Sequence, residues 1–236
     1  MRVRRTSGSV FGQEIFFEKS EIDQMCEEAL RSAQMLPQVP EPIRIERFIE
    51  KHFGCQVVYE EVADGVLGCT AFTATGRVAL VAISPRLEDG SDVGRRRSRA
   101  TAAHEAGHCL MHAMLFMGQQ TGSLFDSQAE ENWDFKERRV LCRLQDIDAA
   151  TKTRYDGRWW EYQANRAIGG FLLPRKLVSQ AVSAYLEKVG NMGAEVLGPE
   201  SRHDAEMHVV RIFDVNPIVA KIRLTEMYSE SNQNHL

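Results

Sequence analysis

The segment His104-Glu105-Ala106-Gly107-His108 constrains this chain more than any other. Two histidines at i and i+4 share one helix face about one turn apart, so both imidazoles can reach a single metal ion. Glu105 lies beside them, where its carboxylate can act on a water without being a ligand. Such a pair needs a third donor from elsewhere, and that need ties a second element to the first. The extended pattern with a third histidine on the same segment is excluded, because Met111 stands where its glycine would be and Met114 where its histidine would be. His112 lies roughly 12 Å along a straight helix from His104, too far for three metal–nitrogen bonds of about 2.1 Å. It reads as a partly buried neighbour and not as a ligand.

A glutamate on a later helix supplies the missing donor. Within Trp159-Trp160-Glu161-Tyr162-Gln163-Ala164-Asn165, Glu161 stands 53 residues after His108. Asn165 is one helical turn further on the same face, and small Ala164 permits close approach of two helices. His104, His108 and Glu161 would make a His/His/Glu set for zinc with the fourth position left to water. Asn165 can accept the outer N–H of a ligand histidine and fix its tautomer. Glu105 is the expected general base. No residue stands out as an oxyanion donor; Tyr155, Tyr162 and His203 are the candidates.

Composition places this chemistry in an ordinary globular protein. The 236 residues are 43% hydrophobic and 26% charged, with 29 Lys+Arg against 33 Asp+Glu, which excludes disordered, collagen-like and coiled-coil classes. A mildly acidic whole argues against a dedicated nucleic-acid binder. Met1-Arg2-Val3-Arg4-Arg5 has the charge of a signal-peptide start, but Thr6 to Glu14 holds no apolar stretch, so export is not expected. The apolar run from Cys109 to Met117 contains His112 and is far short of the roughly 20 residues that cross a bilayer. Five cysteines without a Cys-x-x-Cys pair read as reduced thiols, and a cytoplasmic location is expected.

Hydropathy patterning divides the chain into an N-terminal helical extension (1–38), a catalytic unit (39–190) and a C-terminal helical segment (191–236). Apolar positions predict a helix over 20–36 capped by Ser20, and a short helix from Ile43 to His52 ending at Gly54. Strands are expected at Gln56–Tyr59, Leu67–Ala74 and Val78–Ile83, the last two joined through Thr75-Gly76-Arg77. The motif helix runs to about Met117, with Gly118 as its cap. Residues 119–157 read as a long loop with one short element at Val140–Leu144. Helices follow at Trp159–Leu173 and from Pro174 to about Val189, then a break at 190–200, then a pair at 202–213 and 217–229. The order predicts an α+β chain with a small, mostly antiparallel sheet.

Here the residues resemble a known family. The stretch from Arg96 through the His104–His108 motif to His112, together with Trp160-Glu161-Tyr162-Gln163-Ala164-Asn165-Arg166 and Leu172-Leu173-Pro174, is similar to the ImmA/IrrE metallopeptidases. Their signature is an HExxH helix followed by a Glu-x-x-Ala-Asn helix ending near Leu-Leu-x-Pro. The likeness covers about 90–178 and extends back towards 40 through Gly65-Val66-Leu67-Gly68. The gap between the two motif helices is longer than the family pattern, and Gly169-Gly170 replaces small or apolar helix formers. The resemblance implies a zincin-like fold, zinc as cofactor and a regulatory endopeptidase. It also implies a protein substrate, a helix–turn–helix repressor or antitoxin-like regulator.

Other signals are weaker. Arg95-Arg96-Arg97-Ser98-Arg99 sits where cations oppose a helix dipole, and reads as a solvated first turn or a dock for an acidic partner or phosphate. Trp159-Trp160 reads as core against the motif helix. Val78–Ile83 is placed to be a sheet edge on which an extended substrate could pair. Residues 209–224 read as a helix–turn–helix with a tight turn at Asp214–Pro217. That supports a rival class, a DNA-binding regulator, although its second helix offers only Lys221 and Arg223 as cations. A third class, a non-catalytic zincin-fold interaction module, conflicts with an intact Glu105.

Overall fold

The structure is a computed structural model and describes residues 2–5, 13–116, 133–134, 139–143, 158–189 and 194–228. The elements are β1 (Arg2–Arg5), β2 (Gln13–Phe16), α1 (Lys19–Ser32), α2 (Ile45–Phe53), β3 (Gln56–Tyr59), β4 (Val66–Phe72), β5 (Val78–Ile83), α3 (Asp92–Met111), β6 (Trp133–Asp134), β7 (Arg139–Arg143), α4 (Trp159–Leu172), α5 (Arg175–Val182), β8 (Leu186–Val189), β9 (Ala194–Leu197), α6 (Pro199–Phe213) and α7 (Pro217–Met227). Among the described residues the fold is thus α+β, and no helix is long and apolar enough to cross a membrane. All five cysteines are free and buried.

The central sheet has the order β3-β5-β4-β7-β6, with β3 and β5 parallel and the other neighbours antiparallel. Val78–Ile83, expected at an edge, is therefore internal: β3 pairs with it from the far side, Val57 opposite Val81. Val81, Ala82 and Ile83 are buried accordingly. Among the described residues the outer strands are β3 and β6. The short element expected at Val140–Leu144 is β7, which pairs with β4 along Val66–Ala71; the unexpected strand in that region is β6, paired to β7. Gly118 and Tyr155 lie outside the described residues.

α3 packs along the sheet and most extensively against α4, and α1 also packs on α4. The buried cluster runs without interruption from Ile15 through Phe48, Ala103 and Phe171 to Leu224, so it draws on all three segments of the chain. α1 begins one residue before the expected Ser20 cap. Glu18 is the cap instead, and its N–H donates to Glu21 Oε2 at 2.8 Å in a capping box. α5 is shorter than expected. Past Val182 a 3₁₀ turn leads into the alternating Leu186-Glu187-Lys188-Val189, which pairs as a hairpin with β9, inside the stretch read as a break. α6 starts at Pro199, which suits the first helical position because its missing N–H costs nothing there.

The arginine run is an internal clamp. It lies within α3 and converges on Asp214, the αL residue (φ 50°) that closes α6. Arg95 donates to both carboxylate oxygens of Asp214 at 2.8 and 2.9 Å, and Arg96 Nε donates at 3.0 Å. Arg99 donates to the carbonyls of Asp214 and Phe213 at 3.1 and 3.3 Å. Hydrogen bonds from Arg95 and Arg96 hold the Asp214 carboxyl down to about 2. Cations that oppose the dipole at the start of α3 thereby sit at the negative end of α6, where the field favours them. Three arginines of the run, read as a solvated first turn or a dock, are thus paired within the chain.

The turn between α6 and α7 falls where the sequence placed it. However, Arg223 is buried, donating to the Leu173 carbonyl at 2.9 Å and to Asp23 at 2.7 Å. Of the two cations expected to face a nucleic acid, it is spent on α1 and α4.

Candidate metal centre

α3 carries His104, Glu105 and His108 on its buried face, and α4 carries Glu161, Gln163 and Asn165 opposite them. The two helices meet without a gap because Gly107 and Ala164 face each other. A Cβ on Gly107 would lie 2.8 Å from Ala167 Cβ and 3.0 Å from Ala164 Cα. Gly107→Val is accordingly expected to destabilise the fold by about 1–3 kcal/mol through overpacking and to push Glu161 away from the histidines. Thermal unfolding together with zinc titration checks both effects.

Three electron-pair donors converge at this crossing. His104 Nε2 lies 3.0 Å from His108 Nε2, and the Glu161 carboxylate approaches them at 3.2 and 3.6 Å. All three side chains are buried. Neither Glu161 oxygen accepts a hydrogen bond from a described residue. Buried acceptors facing each other are costly unless a cation stands among them. The same logic shows in the acidities. Burial opposes charge on His104, but Cys142 and Glu161 beside it win and raise its pKa well above the ordinary value. Burial also disfavours the Glu161 carboxylate, yet His108 and His104 hold it far below the usual range. The cluster thus attracts positive charge, and His104, His108 and Glu161 can hold a metal ion.

The outer nitrogens point away from this centre. His104 Nδ1 lies 3.0 Å from Asn165 Oδ1, the partner expected from the sequence. An amide oxygen only accepts, so Nδ1 carries a proton, and in the neutral ring that a metal requires the lone pair is then on Nε2. His112 lies in neither group of side chains close enough to share an ion. Its ring is fully buried rather than partly so, edge-on to Trp159 at 5.6 Å, and its Nδ1 stands 2.8 Å from His108 Nδ1. Burial first, then the neighbouring His108, pushes its pKa down to about 3.

Glu105 is held from below by the sheet. Thr70 on β4 donates to Glu105 Oε2 at 2.6 Å. Gly68 makes room for the carboxylate, since a Cβ there would meet Glu105 Oε1 at 2.9 Å and Thr101 Cγ2 at 2.7 Å. Cys142 on β7 adds a second buried cluster with His104 and Glu105, close enough for shared coordination. Burial lifts its thiol to about 12, against the pull of His104. Thr70 and Cys142 escaped the sequence reading because no local pattern marks a residue that reaches the site by strand order; Gly68 appeared only within the family resemblance.

Of the oxyanion candidates, Tyr162 follows Glu161 on α4 and is 38% exposed. His203 is exposed on α6, which packs against α5 and α7. Trp159 and Trp160 are core, as expected. Comparison with known proteins finds no matching family and no matching curated protein.

Proposed function

We propose that this chain is a zinc-dependent endopeptidase of the ImmA/IrrE type with a zincin-like fold. The observation that carries the reading is the convergence of His104 Nε2, His108 Nε2 and the Glu161 carboxylate beside a separately held Glu105. Two imidazoles and one carboxylate form a donor set suited to zinc with one position open, and zinc there would polarise a scissile carbonyl and acidify water. Thr70 holds the Glu105 carboxylate in place through Oε2. Glu105 takes one proton from the attacking water, whose oxygen bonds to the carbonyl carbon, and delivers it to the departing amine nitrogen. Asn165 holds the proton on His104 Nδ1 throughout.

The substrate proposed is a cytoplasmic regulator, a helix–turn–helix repressor or antitoxin-like protein, cut in a linker between folded parts. An extended segment needs a sheet edge to pair with. With β5 internal, the edges left for such pairing in the described sheet are β3 and β6. Co-expression with repressors encoded nearby is expected to give one discrete cut that disappears in Glu105→Gln. Indiscriminate digestion of casein would overturn the regulatory part of the proposal.

A further inference from the structure

His108 is the one proposed ligand whose outer nitrogen meets another histidine. Its partner, His112, continues into a chain of hydrogen bonds that ends on the backbone. Gln163 Nε2 lies 2.6 Å from the Ile15 carbonyl oxygen, and Gln163 Oε1 lies 3.1 Å from His112 Nε2. His112 Nδ1 then lies 2.8 Å from His108 Nδ1.

Proton positions along this chain follow from one fixed end. A backbone carbonyl only accepts, so the Gln163 end facing Ile15 is the NH₂ group, and its oxygen faces His112. That oxygen only accepts, so His112 Nε2 carries a proton. His112 is fully buried with its edge on Trp159, surroundings that favour a neutral ring. Its Nδ1 is therefore a bare lone pair, and the proton between the two histidines belongs to His108 Nδ1. A neutral His108 protonated there has its lone pair on Nε2, the atom facing His104 and Glu161.

We propose that His112 is a positioning residue for the metal centre, and that with Gln163 and the Ile15 carbonyl it locks His108 in the tautomer that can bind a metal. The inference rests on reading His104, His108 and Glu161 as metal ligands. It also gives the N-terminal strand β2, which contributes Ile15, a structural link to the site through the Gln163 side chain. Without the relay, His108 Nδ1–H loses its acceptor on His112, and its proton is free to move to Nε2, where it blocks coordination.

Two substitutions separate positioning from packing. His112→Phe preserves the ring volume and the Trp159 contact but removes the acceptor. His112→Asn leaves a void but places an amide oxygen near the Nδ1 position, where it can accept from His108. Zinc affinity, measured by competition with a chromophoric chelator, is expected to fall about 10–100-fold in His112→Phe and to recover to within a few-fold of the parent in His112→Asn. Cobalt-loaded protein is expected to show the parent's visible absorption in the Asn variant and a shifted spectrum in the Phe variant. If packing alone mattered, the order would reverse, with Phe the better binder. Parent-like affinity and spectrum in His112→Phe overturn the proposal. Should that variant fail to fold, Gln163→Met, which removes the acceptor of the His112 proton at similar volume, is expected to weaken zinc binding in the same way, and unchanged affinity there overturns the proposal equally. Absence of zinc and cobalt binding in the parent protein is a different failure, of the metal-centre reading itself, and the inference falls with it.

Discussion

Glu105→Gln is expected to lower peptide hydrolysis by about 10²–10⁴-fold, the usual loss when a general base is removed, with zinc content and thermal unfolding close to those of the parent. The amide matches the carboxylate in size, so the space made by Gly68 still accepts it. Its oxygen can still accept the Thr70 hydroxyl that stands 2.6 Å from Oε2. What it lacks is the basicity to take a proton from water. Glu105 is held by Thr70 and is not one of the three proposed ligands, so the substitution leaves His104, His108 and Glu161 in place. The measurement is the rate of appearance of the discrete cut, compared at equal zinc loading. Activity within a few-fold of the parent would mean that another base serves, or that the hydrolysis does not occur at this centre.

Glu161→Ala is expected to abolish stable metal binding. The parent should purify with about one zinc per chain, and the variant far below it. Losing an outer hydrogen-bond partner of a ligand costs metal sites about 10–100-fold in affinity, and losing a direct ligand costs more. Removing Glu161 also removes one of the groups that, after Cys142, raise the His104 pKa, and takes the carboxylate away from two buried imidazoles 3.0 Å apart. Elemental analysis after gel filtration measures the effect, and the fold is followed by circular dichroism. His104→Ala and His108→Ala should behave alike. Full zinc retention in Glu161→Ala would remove it from the ligand set and return attention to the cluster that Cys142 forms with His104 and Glu105.

Sequence reading was strongest wherever chemistry depends on helical spacing. His104 and His108 share a face because they are four residues apart, and Glu161 and Asn165 share one for the same reason. The small residues Gly107 and Ala164 marked the place where those helices could touch. Spacing also places His112 about two turns from His104, and it lies in neither group of side chains close enough to share an ion. Yet the same four-residue step that sets His104 against one side of His108 sets His112 against its other side. That relation depends on ring orientation in the core and is not marked by spacing alone.

Strand order was not legible in this way. Val78–Ile83 has the pattern of a strand wherever it lies in a sheet, and only pairing with β3 makes it internal. The same holds for β7, whose weak pattern in a polar stretch gives no sign that Cys142 arrives beside His104. Charge was equally ambiguous. Arg95, Arg96 and Arg99 form a dense basic run that signals an external partner until Asp214, 119 residues from Arg95, folds back to meet them. Arg223 resembled a surface cation until Asp23 and the Leu173 carbonyl claimed it.

By itself, then, the sequence determined which residue types could form a metal centre and which helices must carry them, because helical periodicity is a local property read over a few residues. The tertiary structure alone decided which side chains hold Glu105, which carbonyl anchors the Gln163–His112 relay, and which charges are spent inside the protein. Those contacts join residues tens to hundreds of positions apart, and their geometry depends on the packing of the whole core and on strand order, which no local pattern encodes.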